Sequence, residues 1–324
     1  LIKGGNASGM KFGDTLSDDA FSGYEFDYII SNPPFGIDWK REKAQVENEA
    51  KRGFDGRFGP GLPAISDGQM LFMLNGVKKL KEGSGRMAII QNGSSLFTGD
   101  AGSGASEIRR YVIEGDLVEA IIQLPTDLFY NTGISTYIWV LTKGKAMYRS
   151  GKVQLIDASK CFVKRRKNIG SKRVDLDDAC IDLILRAYEK FSNETYEENG
   201  LVVESKVFDN SFFGFTKVTV ETAQADKDGK FILKKGKKQP VKGASDTEII
   251  PLSEDSEAYM KKNVLPYNPL AYIDPAKDKI GYEVPFTRLF YKFEAPASSD
   301  SIFEEIKALE AEETILMKEL FGHA

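Results

Sequence analysis

Short apolar runs, interrupted by turn residues, predict a sheet whose strands alternate with helices. Residues 28–30 (Tyr-Ile-Ile), 86–91 and 117–125 are nearly continuous apolar stretches, which is typical of strands buried on both faces. Residues 135–144 predict another strand, joined to the one before it by a short connection. We therefore expect a parallel α/β sheet that carries its last two strands as an antiparallel hairpin at one edge.

Helices are predicted between and after these strands. Residues 66–69 (Ser-Asp-Gly-Gln) have the spacing of a capping box and are followed by apolar positions at helical intervals. Further helices are expected over 107–115, 175–191 and 254–263, and the chain ends in another one. Between residues 53 and 68 stand five glycines and two prolines, which predict a loop long enough to suggest a functional role.

The first apolar strand ends in residues 31–35, Ser-Asn-Pro-Pro-Phe. Two consecutive prolines cannot donate to a strand ladder, so the strand must stop there. Ligands of α/β sheets bind at the carboxyl ends of the strands, where Asp14, this motif and the turn after Ile90 are all expected. The simplest interpretation is that Asn32 caps a turn and Phe35 belongs to the core.

A chemical interpretation of the same motif is available. The Asn32 side chain and a carbonyl of the proline-locked segment are two acceptors in fixed directions, which together fit an amino group. If both N–H bonds of an aromatic amine are held in this way, its lone pair returns to nitrogen and can attack an electrophilic methyl group. Phe35 would stack on the ring of a base that has been flipped out of a helix.

Composition restricts the alternatives. The 324 residues carry a net charge of −4 and contain no apolar run of the ~20 residues that span a bilayer, so a membrane role is not expected. Cys161 and Cys180 match neither a disulfide framework nor a zinc motif, which indicates a reducing cytoplasm. The only histidine is His323, near the chain end, and this argues against catalytic triads and histidine-ligated metals. We expect no metal site.

Two basic runs lie in the second half of the chain. Residues 163–173 contain six basic residues and no acid, and residues 227–242 contain seven lysines and one acid. Solvated loops or hairpin tips are the simpler interpretation, although either run could contact phosphates.

The motif and its surroundings resemble a known family. The segments "FGDTL", "SNPPF", "GRMAIIQNGSSLF", "LPTDLFYNTGISTYIWVLTKG" and "KIGYEVPFTRLFYKF" are similar to the methyltransferase (M) subunits of type I restriction-modification systems. The four-residue motif Asn-Pro-Pro-Phe alone is also shared by methyltransferases that act on protein glutamine.

The resemblance implies a function and a set of site residues. Such subunits transfer a methyl group from S-adenosyl-L-methionine to N6 of adenine in DNA, in complex with a specificity subunit and a restriction subunit. The resemblance places Asn32, Pro33, Pro34 and Phe35 at the target amino group and Asp14 at the adenine end of the cofactor. It also places Phe129 and Tyr130 in the wall of the base pocket, where core residues of a hairpin are the competing interpretation.

One departure from the family affects the expected activity. The family carries a glycine-rich loop and an acidic residue upstream of the position where this sequence begins. The glycine clusters at 4–9 and 99–104 do not replace them, and we expect both to be flexible loops. The resemblance thus implies an M subunit without its amino-terminal half, inactive alone. A non-catalytic scaffold in a DNA-bound complex, or a methyltransferase for protein glutamine or RNA, are the alternatives.

The expected fold is a partial Rossmann-like methyltransferase sheet with a carboxyl-terminal mixed α+β extension and a terminal helix. We expect residues 1–146 to belong to the catalytic domain and 147–298 to the extension. Residues 299–324 would form a partner-binding helix. In that helix, apolar residues recur at four-three spacing, interrupted only by Glu313. They are Ile302, Ile306, Leu309, Leu316 and Leu320.

Overall fold

Strands and helices alternate in the first part of the chain, and strands predominate after it. A computed structural model describes residues 8–227, 230–293 and 296–322; His323 and residues 4–7 of the first glycine cluster lie outside these ranges. The first nine strands are β1 Tyr28–Ser31, β2 Arg86–Asn92, β3 Val118–Gln123, β4 Thr136–Thr142, β5 Lys152–Asp157, β6 Val163–Ile169, β7 Lys172–Asp175, β8 Glu194–Glu198 and β9 Leu201–Asp209. They are followed by β10 Gly214–Ala223, β11 Leu233–Lys234, β12 Lys237–Lys238, β13 Pro240–Pro251, β14 Ala271–Ile273 and β15 Lys279–Tyr282.

The described residues also form eight α-helices. They are α1 Lys43–Ala50, α2 Gln69–Lys78, α3 Ser94–Phe97, α4 Gly104–Glu114, α5 Asp178–Lys190, α6 Ser256–Tyr259, α7 Phe286–Phe290 and α8 Ser299–Phe321. A π-helical turn, Met260–Val264, continues α6. The chain divides after Phe286 into two compact units, the second of which contains α8.

A seven-stranded mixed sheet forms the centre of the first unit, in the order β1-β2-β4-β3-β5-β9-β8. β1 is parallel to β2, and β3 is parallel to β5, whereas the remaining neighbours are antiparallel. Because the sheet continues past β4, the expected domain boundary at residue 146 falls between two of its strands. The division into domains therefore stays a prediction.

The β3–β4 hairpin is antiparallel as predicted, but its predicted position at the edge of the sheet is wrong. β4 lies between β2 and β3 and pairs with both. The crossover from β2 through α3 and α4 leaves one strand position vacant, and β4 folds back to fill it. Trp139 on β4 is completely buried, as a central strand requires.

The helix predicted behind residues 66–69 exists, but the capping box does not. Gly68 is the N-cap of α2 and no side chain caps the helix. Gln69 instead donates its backbone N–H and its side-chain amide to Asp67, at 3.2 and 2.7 Å. The apolar side of α2 packs in a core that also includes Trp39, Phe58 and Ile108.

The glycine-rich stretch 53–68 is an ordered part of this core. Phe58 is completely buried, and the Arg57 guanidinium donates to both carboxylate oxygens of Glu49, at 2.8 and 2.7 Å. Arg57 also donates to the carbonyls of Thr15 and Leu16, at 2.7 and 3.1 Å. The loop therefore fixes the turn that follows Asp14.

The later part of the first unit contains a second sheet. β10 pairs with β13 along one side and with β14 and β15 along the other, all antiparallel. The β6–β7 hairpin contains the first basic run, and the small β11–β12 hairpin lies within the second. This is the mixed α+β character that was expected after the catalytic strands.

The terminal helix α8 has 23 residues and is about 34 Å long. Ser298 caps it by accepting from the backbone N–H of Ser301, at 3.1 Å. No residue of α8 is buried, and Leu309 and Leu320 are 59% and 73% exposed. Within the described ranges, no helix combines the length and apolarity needed to cross a bilayer.

Candidate functional site

The strand-end motif lies at the carboxyl end of β1, next to the corresponding end of β2. Ser31 pairs with Ile89 in the parallel register, so residues 32–35 leave the sheet where β2 also approaches its end. Pro33 is buried, whereas Asn32 is exposed. No hydrogen bond to the Asn32 amide is present within the described part of the chain. Its acceptor oxygen is therefore available to a ligand.

Phe129 and Tyr130 face the same cavity as this motif. A cavity of about 630 Å³ is lined by Asn32, Pro33, Pro34 and Phe35 on one side and by Phe129, Tyr130 and their neighbours on the other. The aromatic pair lies in the connection between β3 and β4, which is closed by a bridge between Phe129 and Thr132. Phe129 is half-buried and Tyr130 is 56% exposed, so Tyr130 forms the rim of the cavity.

Sequence reasoning missed Asn92, which also lines this cavity from the end of β2. Its side-chain oxygen accepts from the Gln69 amide at 2.8 Å, and its backbone N–H donates to Gln69 at 3.1 Å. Ser94 donates its backbone N–H to the same Asn92 oxygen at 2.9 Å. The available signal was the polar run Gln-Asn-Gly-Ser-Ser directly after a buried strand. The network fixes the floor of the cavity between its two walls.

Asp14 lies beside a second cavity, of about 440 Å³, which is lined by its neighbours Gly13 and Thr15 and shares Pro33 with the first. Partial burial acts to raise the pKa of Asp14, but the backbone N–H groups of Leu16 and Ser17 outweigh it and hold this pKa below its ordinary value. Asp14 is therefore a carboxylate at neutral pH. Because Arg57 binds the carbonyls of Thr15 and Leu16, the acid is held on a fixed turn.

The glycine cluster at 99–104 is packed rather than flexible, which corrects the expectation from the sequence. Ala101 is buried, and the backbone N–H of Gly102 donates to the carbonyl of Ile280 at 3.1 Å. A Cβ atom on Gly104 would lie 1.8 Å from the carbonyl oxygen of Leu62. The protein backbone therefore fills the space beside Gly104.

The site can present acceptors to an amino group and aromatic faces to a planar ring. Asn32 supplies an amide oxygen, the proline-locked backbone supplies a carbonyl, and Phe35 and Tyr130 supply ring faces. No group of His, Cys, Asp and Glu side chains within the described ranges could hold a metal ion.

Comparisons with known proteins agree with this architecture. The α/β sheet has the fold of a methyltransferase: the crystal structure of the type I restriction-modification system methyltransferase subunit from Streptococcus thermophilus matches with a TM-score of 0.50 and 28% identity. This match covers 62% of this chain and 38% of that one. Residues 1–228 match the N-6 DNA Methylase family, and the chain belongs to this family.

Two relatives with similar sequences are also methylase subunits of type I restriction enzymes. The type I restriction enzyme MjaIX methylase subunit of Methanocaldococcus jannaschii is 29% identical over 172 residues, covering 52% of this chain and 30% of that protein. The HindI methylase subunit of Haemophilus influenzae is 27% identical over 210 residues, covering 63% of this chain and 44% of the relative. The resemblance to type I methylase subunits is confirmed, and with it the methyltransferase fold. The chain spans less than half the length of these relatives.

Proposed function

We propose that this chain forms the target-base side of an adenine-specific DNA methyltransferase, the modification subunit of a type I restriction-modification complex. The observation that carries the proposal is the single cavity that joins the Asn-Pro-Pro-Phe motif to Phe129 and Tyr130. A flipped adenine needs ring faces for stacking and acceptors for its amino group, and this cavity contains both. Stacking on such aromatic side chains contributes about 1–3 kcal/mol per base.

The reaction follows from the acceptors. The Asn32 oxygen and a carbonyl of the proline-locked segment each accept one N–H of the adenine amino group, which localises the lone pair on N6. The cofactor, S-adenosyl-L-methionine, supplies a methyl group on a positively charged sulfur. When bound, the cofactor would lose this methyl group to N6 and become a neutral thioether, since the new N6–carbon bond replaces the carbon–sulfur bond. N6 then loses one proton to solvent. Asn32 thus acts on the nucleophile and not on the methyl donor.

Asp14 is proposed to face the adenine end of the cofactor. Its depressed pKa keeps it an acceptor, and Pro33 lines both its cavity and the base cavity, so the two ligands would be neighbours. One charge-assisted hydrogen bond contributes about 1.5–3 kcal/mol, whereas micromolar binding requires about 8 kcal/mol. We infer that residues 1–324 alone are inactive and that the remaining cofactor contacts belong to the part of the longer relatives that this chain does not contain.

The test replaces Asn32 in an enzyme completed with the amino-terminal portion of a relative. Asn32→Ala should slow methyl transfer to DNA adenine by about a hundredfold or more, because one preorganised transition-state hydrogen bond is lost. The measurement is the incorporation of labelled methyl groups, with protein glutamine and RNA as alternative substrates. Asn48→Ala on the exposed surface of α1 is the matched control and should react normally.

Three results would contradict the proposal. If the Asn32→Ala enzyme methylates adenine at the normal rate, the motif does not have the proposed catalytic role. Labelling of protein or RNA instead of DNA would favour the alternative substrates. Micromolar binding of S-adenosyl-L-methionine by the isolated chain in calorimetry would show that the cofactor contacts were misassigned.

The proposed complex includes DNA, a specificity subunit and a restriction subunit, and it would act in the cytoplasm. Residues 1–146 would form the base side of the catalytic domain, 147–298 its extension, and 299–324 the segment that contacts the specificity subunit. The exposed apolar side chains of α8 support this assignment, since a helix about three heptads long suits pairing with another helix.

Substitutions in α8 test this contact. Leu309→Asp with Leu316→Asp should abolish co-purification with the specificity subunit and change the melting temperature of the chain little, because both side chains are exposed. Ala311→Asp with Thr314→Asp, on the opposite side of the helix, is the control and should leave the complex intact. A large fall in melting temperature with the leucine variant would instead show that these side chains stabilise the chain itself.

A further inference from the structure

The first basic run is attached to the rim of the base cavity. Residues 163–173 fold into the β6–β7 hairpin, whose turn reaches the loop that contains Tyr130. The backbone N–H of Ser171 donates to the carbonyl of Tyr130 at 2.9 Å, and that of Arg173 donates to the carbonyl of Asp127 at 2.8 Å. The hairpin is therefore held at the cavity by backbone hydrogen bonds.

A side-chain contact strengthens this attachment. The Lys172 ammonium lies 5.3 Å from the centroid of the Tyr130 ring, within cation–π distance. Lys172 also bonds Asp175 at 2.8 Å, and Arg165 forms an ion pair with the same carboxylate. Lys172 and Arg165 lower the pKa of Asp175, and these two of the six basic residues share its one negative charge.

The other four cations have no such partner. Lys164, Arg166, Lys167 and Arg173 are exposed, and within the described ranges no carboxylate lies within 4 Å of any of them. Four uncompensated positive charges on one small hairpin attract polyanions strongly. The net charge of −4 conceals this local excess.

We propose that the β6–β7 hairpin binds the phosphodiester backbone of DNA beside the nucleotide whose base enters the cavity. This inference rests on the proposed function, because extrusion of a base brings the phosphates on either side of it to the cavity rim. An extended strand rises about 3.3 Å per residue and its side chains alternate between two faces, so Lys164 and Arg166 share one face about 7 Å apart, which is about two phosphate spacings along one DNA strand. The contact reads no sequence; it holds the flipped nucleotide at the rim.

The second basic run provides a matched control. Residues 230–242 contain the β11–β12 hairpin, and Lys234, Lys237 and Lys242 are exposed there. No hydrogen bond within the described ranges joins this segment to the loop at 127–134. Equal losses of charge can therefore be placed in two basic hairpins, only one of which is attached to the cavity.

The experiment measures binding of the full chain to a fluorescent DNA duplex that contains one mismatched adenine, over a series of KCl concentrations. The hairpin variant is K164Q/R166Q/K167Q and the control is K234Q/K237Q/K242Q. Each phosphate contact contributes about −0.9 to the slope of log K against log salt, so the hairpin variant should lose about 2 to 3 from this slope. At about 0.1 M salt, the affinity of the hairpin variant for the duplex should fall by roughly tenfold or more. The affinity of the control variant should change little.

Folding and charge are separated by a third variant. K164R/R166K/K167R retains all three charges, and it should bind DNA like the unmodified chain. The inference is overturned if the glutamine variant binds with unchanged slope, if the control loses as much affinity as the hairpin variant, or if the unmodified chain does not bind the duplex at low salt.

Failure of this inference is distinguishable from failure of the proposed function. If K164Q/R166Q/K167Q binds DNA normally while Asn32→Ala abolishes methylation in the completed enzyme, the hairpin assignment is wrong and the function stands. If the hairpin variant loses binding while Asn32→Ala methylates adenine normally, the hairpin contacts DNA but the cavity does not perform the proposed reaction.

Discussion

The two edge strands of the seven-stranded sheet differ in sequence and in cover. β8 has the sequence Glu-Thr-Tyr-Glu-Glu, and α5 packs on the sheet beside it, over a core that includes Leu183 and Val203. β1 has the sequence Tyr-Ile-Ile-Ser, and its Tyr28 and Ile30 side chains are 77% and 91% exposed. Charged side chains discourage an edge strand from pairing with another chain, whereas exposed apolar ones favour it.

The difference shows where stability and function are located in this chain. The β8 edge, beside the core under α5, carries no candidate site among the described residues. The β1 edge, with its exposed apolar side chains, carries the Asn-Pro-Pro-Phe motif at its carboxyl end. Exposed apolar surface of this kind marks an interaction region. Packing around α5 therefore stabilises the sheet, while β1 contributes little to the stability of the chain by itself.

The largest expected effect is on unfolding. Leu183→Ala should lower the free energy of unfolding by about 2–5 kcal/mol, because Leu183 is 1% exposed and its truncation leaves a cavity. Ile30→Ala should change it by less than about 0.5 kcal/mol, because this side chain is almost entirely exposed. Urea unfolding of both variants measures the difference. Comparable losses would show that the two edges are equally important for stability.

A smaller effect is expected on self-association. Ile30→Lys should raise the soluble concentration of the chain several-fold and reduce association in sedimentation experiments, since a lysine on the edge disfavours strand pairing. Thr195→Lys on β8 is the matched control and should change nothing, because that edge already carries glutamates. Undiminished association of the Ile30→Lys chain would assign the contact to another surface.

The elements of the sheet could be predicted from the sequence because their signals are local. Apolar runs such as 86–91 mark buried strands, and the double proline ends β1 at the observed place. The order of the strands is not a local property. The sequence of the β3–β4 hairpin does not indicate whether the hairpin lies at an edge or in the centre of the sheet. Its central position results from the crossover between β2 and β3, which leaves the place of β4 vacant.

The candidate site shows the same limit. Asn32 and Phe35 stand in a recognisable motif, and Phe129 and Tyr130 follow a strand, so all four could be proposed from the sequence. Asn92 stands in the turn after Ile90, which was expected at this edge, but its place in the cavity floor depends on hydrogen bonds to Gln69, 23 residues away. The capping box was misassigned for a related reason: the Gln69 side chain serves the floor of the cavity and not the start of a helix.

The two walls of the base cavity differ in how easily each can open. Asn32 follows a four-residue strand that is bonded along one side only, to β2, whereas the loop of Phe129 and Tyr130 joins β3 to β4 inside the sheet. Displacing the aromatic wall requires breaking the backbone hydrogen bonds that join its loop to the β6–β7 hairpin, while the motif can separate from the cavity by fraying of β1 alone. An element that pairs with the free side of β1 would reduce this fraying. It would therefore also raise the fraction of molecules in which both walls of the cavity are in place.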